Sequence, residues 1–134
     1  MSTDKVLVLN ATGKVGRNVC RALIESGFDV YGTTRSNKTA LGSQGIKTVL
    51  CNYTVRTDLE GALEESGAKK VFAMTDYFAA AKSSADEEIR QGCNAIDAAK
   101  VAGVDHFIFM SVADAEFFNE RVKHLKAKVF LEKY

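Results

Sequence analysis

Five short apolar runs alternate along the chain with stretches whose apolar positions recur every three or four residues. Strands separated by amphipathic helices give this alternation, which is the signature of βαβ units and a parallel sheet. The first run, residues 5–9, reads Lys-Val-Leu-Val-Leu without a polar break, as expected of a strand buried on both faces. A helix follows from Lys14, with Val15, Val19, Ala22 and Leu23 on one face, and stops at Gly27. Residues 28–33 predict a second strand, 46–51 a third, 58–65 a short helix closed by Gly67, and 70–74 a fourth strand. The strongest helical pattern comes next. Ser84 and Glu87 fit a capping box, Ile89, Cys93, Ile96 and Ala99 share a face, and Gly103 ends the helix. Residues 106–110 form a fifth strand, with Phe107 and Phe109, like Phe72 of the fourth, expected in the core. Residues 119–134 form a last helix with Val122, Leu125 and Val129 on one face.

Right-handed crossovers between adjacent parallel strands then predict a doubly wound α/β fold, a five-stranded sheet in the order 3-2-1-4-5 with helices on both faces. Such sheets bind ligands at the carboxyl ends of their strands, beside strand one where the winding reverses. Candidate chemistry is therefore sought in the residues that follow each strand.

Composition narrows the class. With 134 residues and 46% hydrophobic content, the chain is expected to be one domain over residues 1–134 with one packed core. Average usage gives roughly seven prolines at this length, and the sequence has none, which suits regular elements joined by short turns. Lysine and arginine total 18 against 17 acids, so the net charge of +1 argues against a general nucleic-acid or anionic-membrane binder. No stretch approaches about 18 consecutive apolar residues and the amino terminus lacks a signal-peptide pattern, so a cytoplasmic location is expected. Cys20, Cys51 and Cys93 lie far apart, without metal-ligand or redox spacing, and are expected to be buried reduced thiols; no metal site is expected.

Between the first strand and the first helix lies Asn10-Ala11-Thr12-Gly13-Lys14-Val15-Gly16, close to GxGxxG with Asn10 in the place of the first glycine. Asparagine tolerates left-handed backbone angles. Gly13 lets the backbone approach a pyrophosphate, Gly16 lets the helix lie tightly on the sheet, and the helix start offers free N–H groups to phosphates. About 20 residues on, sites that prefer NAD carry an acid that accepts from the ribose 2′-hydroxyl. Here the second strand runs into Thr34 and Arg35 with no acid. Arg35, assisted by Thr34 and Ser36 beside it and by Lys14 or Arg17 across the loop, suits a 2′-phosphate, so NADP(H) is preferred over NAD(H).

These residues resemble the NmrA-like branch of the atypical short-chain dehydrogenases/reductases. The resemblance is carried by the loop from Asn10 to Gly16, by Thr34-Arg35, and by the segment Val71-Phe-Ala-Met-Thr-Asp-Tyr-Phe78. It continues through residues 91–107 and ends in 124–134, covering the cofactor-binding, Rossmann half of a typical member. It implies that Asn52 and Tyr53 lie at the adenine, with Asn52 in place of the usual acid. It implies that Thr75, Asp76 and Tyr77 line the pyrophosphate and nicotinamide ribose, and that Lys128 contacts that ribose. His124 takes the position of the usual catalytic tyrosine, and Ser111 lies near the usual active-site serine. An imidazole with an ordinary pKa of about 6.5 suits a different proton-transfer regime from a lysine-assisted phenol.

A full-length relative continues into a sixth strand and a lobe that encloses the substrate. Without these, the fifth strand is expected to be an exposed apolar edge that invites a second chain. Three readings follow. One is a cofactor-binding or redox-sensing module that senses NADP(H) or supports a protein partner or second copy. Another is an NADPH-dependent oxidoreductase acting on a small carbonyl or quinone, represented by its N-terminal half or completed by a partner chain. The third is a relic that has lost binding, against which the glycine loop and Arg35 argue.

Overall fold

The computed structural model describes residues 4–35, 45–52, 55–74, 85–110 and 134. Their elements run β1 (Lys5–Val8), α1 (Lys14–Glu25), β2 (Asp29–Thr34), β3 (Lys47–Leu50), α2 (Arg56–Ser66), β4 (Lys70–Ala73), α3 (Ala85–Ala102) and β5 (His106–Phe109). The five strands form one sheet in the order β3-β2-β1-β4-β5, and every neighbouring pair is parallel. This is the doubly wound α/β fold that the alternation predicts.

β1 sits at the centre, with Leu7 opposite Tyr31 on one side and Val71 on the other. Its unbroken apolar run follows from that position, because Val6, Leu7, Val8 and Leu9 are all buried. Successive side chains of a strand point to opposite faces. Leu7 and Leu9 accordingly join Val49, Leu59, Leu63 and Ala98 beneath α2 and α3, while Val6 and Val8 join Cys20, Val30 and Ile46 beside α1. Burying each such leucine or valine contributes about 1.5–3 kcal/mol relative to leaving it in water.

Two helix faces differ from the sequence pattern. On α1 the deepest residues are Gly16 and Cys20, Val19 and Leu23 are half-buried, and Ala22 is exposed. At Gly16 the helix meets the Asn10 carbonyl and the Ala11 Cα of the loop after β1, which draws the contact line through it. On α3, Ala99 is buried as its pattern predicts, but Ile89, Cys93 and Ile96 are only half-buried, whereas Glu88, Gln91, Ala95 and Ala98 are buried. The contact line runs one residue to the side because alanines let α3 lie close to its neighbours, and interhelical distance depends on the side chains at the contact. Helix α2 begins two residues earlier than its apolar pattern indicates, at Arg56, and ends at the left-handed Gly67. Ser84 of the expected capping box, and residues 119–133 of the last expected helix, lie outside the described residues. The Tyr134 hydroxyl donates to Asp97 Oδ1 on α3 at 2.9 Å.

The aromatic strand residues are half-buried: Phe107 and Phe109 pack on the α2–α3 side, Phe72 on the α1 side. Among the described residues β5 pairs only with β4, and Ile108 and Met110 are 49% and 40% exposed. An apolar groove of about 360 Å³, lined by Val19, Leu23, Phe28, Phe72 and Ile108 among others, lies between α1 and this edge. None of the described helices is long and apolar enough to cross a membrane.

Candidate functional site

Backbone hydrogen bonds beyond the strands bring the carboxyl ends of the strands level. Ala11 N donates to the Thr33 carbonyl, Cys51 N to that of Thr34, Leu9 N to that of Phe72 and Met110 N to that of Ala73. The loop after β1, Arg35 after β2 and Asn52 after β3 therefore share one edge of the sheet.

The loop is the most constrained of these segments. Asn10 adopts a left-handed backbone with φ 56°, the only non-glycine residue to do so among those described. Its carbonyl accepts from Gly13 N, closing a tight turn. A side chain at Gly16 would place its Cβ 2.2 Å from the Asn10 carbonyl oxygen and 2.8 Å from the Ala11 Cα, so only glycine allows α1 to meet the loop. At Gly13 the space that a Cβ would fill is bounded by the Asn10 carboxamide, whose Nδ2 would lie 3.2 Å away. Ala11 is fully buried, Thr12 and Val15 are half-buried, and Lys14 is exposed.

Helix α1 opens with Gly13 as its N-cap, without a side-chain capping bond and without an acid in its first turn. The first N–H groups of a helix have no partner inside it and carry the positive end of its dipole. A glycine backbone at the N-cap, followed by uncapped donors, can hold an anion. Arg17 takes a structural part, since its Nε donates to the Thr12 carbonyl at 3.1 Å.

Arg35 lies just beyond β2 and is exposed, with no hydrogen bond or ion pair among the described residues. Thr34 is buried within β2, which leaves the guanidinium as the exposed member of that pair. Asn52 is half-buried, and its N–H donates to Asp58 Oδ2 on the first turn of α2 at 3.0 Å. Tyr31 of β2 is packed half-buried beneath α2 and α3, with Lys47 Nζ 5.2 Å from its ring centre.

Tyr53, Thr75, Asp76, Tyr77, Ser111, His124 and Lys128 lie outside the described residues. Cys20 and Cys51 are buried, and burial pushes their thiols up to about 11 and about 12, the second helped by the Asp58 carboxylate. Cys93 is half-buried, contrary to expectation, because α3 turns a neighbouring face inward. Its thiol is also raised, by burial and by Asp97. Protonated thiols are poor nucleophiles and metal ligands. Among the described residues, no group of three His, Cys, Asp or Glu could hold a metal.

Two residues with a part in this edge carry no motif signal. Thr33 is 1% exposed, and its Oγ1 accepts from Asn10 N at 3.1 Å. In sequence it is one more β-branched strand residue. Asp58 reads as an ordinary acid at a helix start, and only the return of the chain past Asn52 reveals what it holds.

Solved structures with this fold include an NADPH-dependent quinone oxidoreductase from Escherichia coli in complex with NADPH. It is 24% identical, with a TM-score of 0.77 over 96% of this chain and 43% of that one. A triphenylmethane reductase from Citrobacter sp. in complex with NADP(H) is 23% identical, with a TM-score of 0.79 over 96% of this chain and 44% of that one. The Bordetella bronchiseptica enzyme WbmH in complex with NAD+ is 16% identical, with a TM-score of 0.76 over 99% and 52%. This chain thus spans about half the length of these proteins or less. The family model of the NmrA-like family matches residues 2–134, and with that match over the loop and strand order described above, the chain belongs to the NmrA-like family.

Proposed function

We propose that residues 1–134 form one NADP(H)-binding domain acting as a cofactor-binding or redox-sensing module. The observation that carries this reading is the crowded turn at Gly16, where a Cβ would meet backbone at 2.2 Å, opening directly into an uncapped α1. So tight a strand-to-helix junction brings backbone N–H groups to a pyrophosphate. In this reading the loop from Asn10 to Gly16 grips the pyrophosphate and Asn52, with Tyr53, borders the adenine. Arg35 meets the 2′-phosphate through charge-assisted hydrogen bonds, assisted by Lys14. Thr75, Asp76, Tyr77 and Lys128 complete the nicotinamide side. Bound NADPH supplies reducing equivalents as a hydride. The reading also takes the protein as cytoplasmic, with a protein partner or a second copy covering the apolar edge at β5.

A second reading has an observation of its own. The matched proteins include two reductases, of which this chain spans 43% and 44%. In that reading the domain is the N-terminal half of an NADPH-dependent oxidoreductase for a small carbonyl or quinone, with His124, Lys128 and Ser111 at the reacting end. Hydride transfer needs a pocket that orients the acceptor and excludes water, which a further lobe or a partner chain would supply.

Calorimetric titration with NADPH and NADH tests the cofactor. NADPH is expected to bind at least about tenfold more tightly, a difference of about 1.4 kcal/mol. Arg35→Ala should remove that preference while leaving NADH affinity nearly unchanged. Equal affinities in the parent chain remove the 2′-phosphate argument, and no binding of either overturns the reading. Following NADPH absorbance with a quinone panel separates the two readings, because turnover by this chain alone supports the enzyme over the module.

A further inference from the structure

The loop that would grip the pyrophosphate is held in shape from β2. Asn10 keeps a backbone angle, φ 56°, that L-residues avoid and that the usual glycine adopts freely. Two bonds from one residue stabilise it. Thr33 Oγ1 accepts from Asn10 N at 3.1 Å, and the Thr33 carbonyl accepts from Ala11 N at 3.2 Å. Thr33 is 1% exposed, so its hydroxyl is shielded from water that would compete for that N–H. The next residue, Thr34, passes its carbonyl to Cys51 N at 2.9 Å, and Arg35 follows. One buried residue thus ties the phosphate loop to the strand that presents the ribose-side arginine.

We propose that Thr33 is a positioning residue for the dinucleotide. Its hydroxyl fixes Asn10 in the left-handed conformation that shapes the phosphate loop, so affinity for the pyrophosphate shared by NADPH and NADH depends on Thr33 while the choice between them does not. This rests on the dinucleotide reading above. Its division of labour is explicit: Arg35 sets which cofactor, Thr33 sets how well either is held.

The test uses the full chain with Thr33→Val, which keeps shape and strand propensity but loses the acceptor, and Thr33→Ser, which keeps the acceptor. Titration should show Thr33→Val weakening NADPH and NADH alike, about three- to tenfold, the effect of one neutral hydrogen bond. Thr33→Ser should bind like the parent. Adding Asn10→Gly to Thr33→Val should restore affinity, because glycine needs no latch to hold a positive φ. Amide exchange at residues 10–13 should quicken in Thr33→Val and not in Thr33→Ser, a readout independent of ligand. Unchanged affinity and exchange in Thr33→Val, loss confined to NADPH, or failure of the double variant to recover each overturns the latch. If the parent chain binds neither cofactor, the dinucleotide reading falls and this proposal with it.

Discussion

Helices α1 and α2 both start at the carboxyl edge of the sheet, one after β1 and the other after β3, yet their first turns differ in charge. Neither helix has a side-chain capping bond at its N-cap, Gly13 for α1 and Val55 for α2, but α1 has no acid in its first turn and carries the basic residues Lys14 and Arg17. Helix α2 carries Asp58 in its first turn, and that carboxylate accepts from Asn52 N. Helix α3 follows the α2 pattern, with Asp86, Glu87 and Glu88 in its first turn. A carboxylate near a helix start offsets the positive end of the dipole. The starts of α2 and α3 are therefore balanced by the chain itself, whereas in the proposed reading the start of α1 is left for an external anion, beside a turn where a glycine is enforced by backbone contact.

Gly16→Ala attacks that difference at its root and has the largest expected effect. The added Cβ would meet the Asn10 carbonyl and the Ala11 Cα, backbone atoms that cannot step aside cheaply. Overpacking of this kind costs about 1–3 kcal/mol, occasionally more. Denaturant unfolding should show that loss, and titration should show dinucleotide binding abolished. Asp58→Ala, which makes α2 start like α1, should lower stability by about 1 kcal/mol through loss of the bond to Asn52 N and of the dipole interaction. The smallest effect on stability is expected for Lys14→Glu, which makes α1 start like α2. It should stabilise the free protein by about 0.3–1 kcal/mol through the dipole, yet weaken NADPH by about tenfold, because the new carboxylate competes with the phosphates. Stability and affinity moving in opposite directions is the specific signature. If both rise together, the start of α1 is not an anion site.

Much of the fold is legible in the residues. The Leu7 and Leu9 positions against Val6 and Val8 mark a strand buried on both sides, and five such runs between helices leave few parallel topologies. Glycines 13 and 16 mark the turn. Burial on individual helices is less legible. The apolar repeat of Ile89, Cys93 and Ile96 is real, yet α3 turns its Ala95–Ala98 side inward, because tight approach favours small residues over large ones. Tyr31 illustrates the same limit, for the alternation of its strand names two faces without saying which one meets α2 and α3.

The order of elements, the buried central strand, the glycine loop and the basic residue after β2 can be read from the residues alone, because each rests on a local periodicity or on a backbone demand that only certain residues meet. Tertiary structure decided what those local signals cannot contain. Thr33 and Asn10 are 23 positions apart, and only the parallel pairing of β1 with β2 turns a buried strand threonine into the acceptor that holds the loop. Hydrogen bonds of this kind depend on position within about half an ångström, and that precision exists only once the sheet and its helices have packed.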